Sequence, residues 1–123
     1  MGRNWFDEAR CALLLMDFQV DVCAPGGRMV SDRPDVHARF DSAVRRAATL
    51  LSAARDSGLP VLHVRHRFSP GYPELADAPP TVGMARYVRA TGAFVEGTPG
   101  AEIVEPLRRA APSGAELRGR NVM

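Results

Sequence analysis

Hydrophobic positions along this chain fall into two rhythms. Residues 11–16, CALLLM, are apolar without a break, the pattern of a strand covered on both faces. The run ends at Asp17, Phe18 and Gln19 and enters a loop holding Cys23, Pro25, Gly26 and Gly27, whose glycines reach backbone angles that other residues avoid. From 34 to 57 the rhythm becomes helical: Val36, Phe40, Ala43, Val44, Ala47, Leu50, Leu51 and Ala54 recur at that spacing, with Arg39, Arg45, Arg46 and Arg55 between them. This predicts an amphipathic helix of about six turns. Ser31 or Asp32 is its expected cap, Pro34 suits its first turn, and Gly58 with Pro60 ends it.

A second strand, Val61–Val64, follows after the short connection typical of a βαβ unit. Two parallel strands joined by a right-handed crossover place their carboxyl ends, near Asp17 and His66, on one edge of the sheet. Ligands of open α/β sheets bind along that edge. Residues 67–100 are dense in glycine and proline and show no apolar periodicity, so they are expected to form a long irregular excursion. Residues 102–110 fit a short helix with Ile103, Val104 and Leu107 inward, its regularity limited by Pro106. A weak strand over 116–118 then completes an α/β domain of about three parallel strands spanning residues 1–123.

Composition narrows the function. The 123 residues are 46% apolar and carry 16 basic against 14 acidic groups, a net charge of +2. Every basic residue is arginine, and the chain has no lysine. The arginines are scattered, so nucleic acid is not an indicated partner. No stretch is long and apolar enough for a membrane span or a signal peptide, and two cysteines are too few for a disulfide framework. A reducing cytoplasm is the expected location.

Four stretches carry a resemblance: ALLLMDFQVDVCAPGG at 12–27, AARDSGLPVLHVRH at 53–66, RFSPGYPE at 67–74 and VEGTPGAEIVEPL at 95–107. In this order and spacing the chain resembles the isochorismatase-like cysteine hydrolases. The resemblance implies a three-layer, doubly wound parallel sheet and hydrolysis of a small amide, urea or vinyl ether by a cysteine, an aspartate and a lysine. It places Asp17 at the family's catalytic aspartate, which takes the thiol proton and returns it to the leaving group. Where the family has its lysine, after the turn at 112–114, Arg118 or Arg120 stands instead, and arginine stays protonated. The nucleophile belongs to the second half of the family's sheet of about six strands. The chain is therefore expected to be the N-terminal portion, truncated to about three strands. Its first strand, central in the family, becomes an edge.

The other chemistry-bearing residues read as structural. Cys23, near Asp17, is expected to be a packing residue, and Cys11 an apolar filler of the first strand. His63 and His66 are three apart in a strand, so they point to opposite faces and cannot share an ion. No metal site and no cofactor are expected. GTPGAE at 97–102 lacks the lysine of a phosphate-binding loop and is read as a turn. An aspartate-nucleophile phosphatase would need an acid at position 19 and a later lysine, whereas the chain offers Gln19. Two functional readings follow. One is a family hydrolase, inactive on amides alone, whose small-molecule substrate is met only with a complementing C-terminal chain. The other is a non-catalytic interaction module that pairs through its open sheet edge, with a homo-oligomer as one outcome.

Overall fold

The structure is a computed structural model that describes residues 10–30, 32–79 and 83–108, with the backbone of 115–117. Its elements run β1 (Leu13–Met16), α1 (Val20–Cys23), α2 (Pro34–Asp56), β2 (Val61–Val64), α3 (Gly83–Thr91), α4 (Glu105–Arg108) and β3 (Ala115–Leu117), with 3-10 turns at Pro73–Leu75 and Pro99–Ala101. The strands form one parallel sheet in the order β1-β2-β3. Leu13 lies opposite Val61 and Met16 opposite Val64, while Leu62 lies opposite Ala115.

Helix α2 follows its apolar pattern closely. Val44, Ala47, Leu51 and Ala54 are its buried residues, and they pack with Leu15, Cys23, Ile103, Val104 and Leu107 in one cluster. Complete burial of Leu51 is worth about 2 kcal/mol. The start corrects the expected cap: Arg33 holds the N-cap position without a side-chain cap bond, and Ser31 lies outside the described residues. Arg33 instead pairs with Asp35 of the first turn at 2.9 Å, where an acid suits the positive helix end. At the other end Gly58 takes φ 72°. Leu59 N donates to Ala54 O at 2.8 Å and Gly58 N to Arg55 O at 3.0 Å, the paired bonds of a Schellman stop.

The reading of a first strand covered on both faces is corrected. β1 begins at Leu13, and among the described residues it is the sheet's edge. Leu15 is 4% exposed, whereas Leu14 and Met16 are 49% and 55% exposed. Alternation explains the difference, since α2 lies against the face that carries Leu15 and leaves the opposite face uncovered.

The excursion is more ordered than its composition suggests. It contains α3 as well as both 3-10 turns, and Phe68 bridges Val95 in parallel. Phe68, Leu75, Ala85, Val88, Ala93 and Phe94 form a second buried cluster. The expectation of a structureless stretch missed α3 because only Ala85 and Val88 of its nine residues are buried, while Met84 and Tyr87 face solvent. After it, Ile103 and Val104 are buried ahead of α4 rather than within it, and Pro106 falls in the first turn of α4, where a missing N–H costs nothing. β3 starts at Ala115, one residue earlier than expected; Arg118 and Arg120 lie outside the described residues.

Candidate functional site

The carboxyl ends of β1 and β2 meet at Asp17 and His66. Asp17 N still donates to Val64 O at 2.9 Å, but Asp17 itself adopts φ 64°, a left-handed conformation disfavoured for a residue with a Cβ. That turn ends the strand and leaves the Asp17 side chain 46% exposed, 3.3 Å from His66 Nε2 through Oδ1. The His66 ring is held from the other side by aromatic contacts, stacked on Phe68 at 6.3 Å and tilted against Phe94 at 5.1 Å. A carboxylate with an imidazole partner at an open sheet edge can accept and return a proton.

Gln19 fixes this geometry. It is fully buried, its Nε2 donates to His66 O and to Ala101 O, each at 2.7 Å, and its Oε1 accepts from His66 N at 2.8 Å. One side chain thus ties the end of β1 to the end of β2 and to the turn before α4. The backbone beside it does the same: Val20 N donates to Glu102 O and Val104 N to Phe18 O, both at 2.9 Å. Asp21 is also buried. It accepts from Phe94 N at 2.8 Å and from Arg28 N at 3.2 Å, joining the glycine loop to the second apolar cluster. A Cβ at Gly100 would collide with the Asp21 carboxyl group, so the GTPGAE stretch serves as a close-packed turn.

Cys23 is buried, and its thiol donates to the Asp17 main-chain oxygen at 3.7 Å. Burial, and secondarily the Asp17 carboxylate, push the thiol from 9.0 up to about 11. A thiol held protonated is not a nucleophile at neutral pH. Cys11, the other cysteine, is also free and lies before β1, at the end of the strand opposite Asp17. His63 is buried at the position opposite Leu15, away from His66, and among the described residues no three His, Cys, Asp or Glu side chains cluster as metal ligands.

The isochorismatase domain family model matches residues 11–116, a span that contains every residue of this arrangement. The chain belongs to the isochorismatase family. A search of curated proteins finds no match. No helix of the described residues is long and apolar enough to cross a membrane.

Within this isochorismatase domain, Asp17 lies at the carboxyl end of β1, beside the end of β2. The structure adds the His66 imidazole 3.3 Å from its carboxylate and Gln19 and Asp21 as supports of the surrounding turns. Two polar residues directly after an apolar strand were the available signal for the supports. Only the long-range contacts, 47 residues to His66, 73 to Phe94 and 82 to Ala101, reveal what they hold.

Proposed function

We propose that Asp17 is the acid–base residue of an isochorismatase-type cysteine hydrolase acting on a small amide or a related C–N or C–O bond. By itself the chain does not turn such substrates over. The observation that carries this reading is the state of the thiol nearest Asp17: Cys23 is buried and shifted to about 11. Asp17 is thus a proton acceptor beside a thiol that is not available for attack. In the chemistry the family resemblance implies, a thiolate attacks the substrate carbonyl, and the acid returns the thiol proton to the departing amine. Here Asp17 offers the carboxylate that takes that proton and returns it, and the sulfur comes from another polypeptide segment. The uncovered face and open edge of β1 fit the place where further strands and a third layer of a doubly wound sheet would add. Two free cysteines fit a reducing cytoplasm.

The test is hydrolysis of a panel of primary amides and ureas by the purified chain beside Asp17→Asn. No release of ammonia above the variant is expected, and Asp17-dependent release refutes inactivity. Mixing with a polypeptide that supplies the remaining strands and a thiol is expected to restore Asp17-dependent turnover.

A second reading rests on the same open edge. Exposed Leu14 and Met16 on an edge strand suit a non-catalytic module that pairs with another chain, and it predicts a defined oligomer of constant mass.

A further inference from the structure

We infer that His66 is a positioning residue for Asp17: its Nε2–H donates to Asp17 Oδ1 and fixes the carboxylate, which leaves Oδ2 to take the thiol proton and return it. The inference deepens the acid–base reading above and rests on it.

Backbone strain is the first observation. Among the described residues, the non-glycine residues with positive φ are Asp17 (64°), Tyr72 (56°) and Phe94 (60°), from three separate stretches of the chain. All three converge on His66. Asp17 Oδ1 is 3.3 Å from its Nε2, the Phe94 ring is 5.1 Å from its ring, and Tyr72 packs at 5.5 Å on Phe68, which in turn stacks on the imidazole. Such conformations persist where the surroundings over-determine them, and they gather where a fold holds working groups in place. Here Phe94 N donates to the buried Asp21 at 2.8 Å and Phe94 O accepts from Phe68 N at 2.9 Å. Tyr72 Oη donates to Ala93 O at 2.8 Å.

What the imidazole adds is the second observation. The bonds from Gln19 go to the His66 main chain, so they do not require this side chain. A hydrocarbon ring would fill the same space against Phe68 and Phe94. The imidazole adds a nitrogen facing Asp17, while the flanking arginines have acids of their own, Glu102 for Arg65 and Glu96 for Arg67. Phe68 and Phe94 are buried, whereas the side chains of His66 and Asp17 keep 27% and 46% of their surface in solvent. The clamp is inside and the pair it holds is presented outward.

Asp17 needs such a hold. Its N–H is tied to Val64 O, but a half-exposed carboxylate beyond a turn moves among staggered rotamers unless its oxygens are engaged. A displacement of about 1 Å in a reacting group costs about 10²-fold in rate. The 3.3 Å separation is slightly longer than an ordinary N–H···O bond, as catalytic pairs often are before substrate arrives. As sulfur attacks, the thiol proton passes to Oδ2, and from Oδ2 it passes to the departing nitrogen or oxygen. His66 keeps its own proton throughout.

NMR spectroscopy of the whole chain, labelled with carbon-13 and nitrogen-15, tests this without turnover. The three-bond couplings from Asp17 Cγ to its backbone N and C′ are expected to report a single χ1 rotamer in the wild type. In His66→Phe, which keeps the aromatic packing and removes the donor, they are expected to fall to the averaged values of a side chain moving among rotamers. His66→Gln, whose amide N–H reaches as far as imidazole Nε2, is expected to restore the single rotamer. From the other side, an Nε2–H signal of His66 is expected in the wild type and is expected to be lost in Asp17→Ala, a readout that stands even where His66→Phe does not fold. Averaged couplings in the wild type overturn the proposal. So does a rotamer that His66→Phe leaves fixed, a His66→Gln chain that stays averaged, or an Nε2–H signal indifferent to Asp17→Ala. A fixed Asp17 together with no ammonia release beside a complementing chain refutes the hydrolase reading alone, so the two proposals fail separately.

Discussion

Replacing Gln19 with alanine is expected to cost far more stability than a polar-to-alanine change usually does. The wild-type side chain is fully buried and makes three hydrogen bonds, two to carbonyl oxygens and one from the His66 N–H. Each buried backbone group left without its partner costs about 1–3 kcal/mol. With partial relaxation of the two carbonyls, the sum is about 3–5 kcal/mol, a large share of the 5–15 kcal/mol that stabilises a typical domain. Urea denaturation followed by CD measures it, as a lower midpoint at constant slope, and the same loss lowers the melting temperature by roughly 10–20 °C. Gln19→Glu keeps the volume but removes both donors and sets a carboxylate against the oxygens of His66 and Ala101. It is expected to be at least as damaging at neutral pH and to recover partly in acid, where a protonated carboxyl can donate again. A loss below about 1 kcal/mol for Gln19→Ala, smaller than one net hydrogen bond of the usual kind, refutes the claim that this residue clasps the two strand ends.

Cys23 makes stability depend on pH in a defined direction. Its folded value, about 11, lies above the unfolded 9.0, so the unfolded chain ionises first. The contribution is complete below about pH 9 and is lost as pH rises from 9 towards 11, and Cys23→Ala is expected to flatten that decline in denaturation midpoints. Alkylation of Cys23 by iodoacetamide is correspondingly expected to be slow at pH 8 and to accelerate up to about pH 11; fast labelling of Cys23 in the folded protein at pH 8 contradicts the buried thiol. At Asp17, φ 64° is strained for any residue with a Cβ. Asp17→Gly is therefore expected to be more stable than Asp17→Ala by about 1 kcal/mol in parallel thermal melts, and equal stabilities refute the strain.

The local chemistry of the chain determined its long helix and its first two strands. Apolar spacing marked the long helix to within a residue at its end, and glycine and proline at 58 and 60 stopped it, because helix ends depend on groups within one turn. The parallel strands were legible for the same reason: an apolar run, a crossover and a second apolar run admit few arrangements. Asp17 was legible as the polar residue that ends an apolar run. What required the tertiary structure were the side-chain relations that span many residues: the His66 neighbour, the clasp of Gln19, the anchorage of Asp21 and the second apolar cluster, which draws on residues 68–78 and 85–94. It also decided which face of β1 is bare, since CALLLM reads as apolar on both sides whether or not anything covers it. Periodicity records the side a residue occupies on its own element. Coverage is settled by what else folds against that side, and in this chain α2 folds against only one.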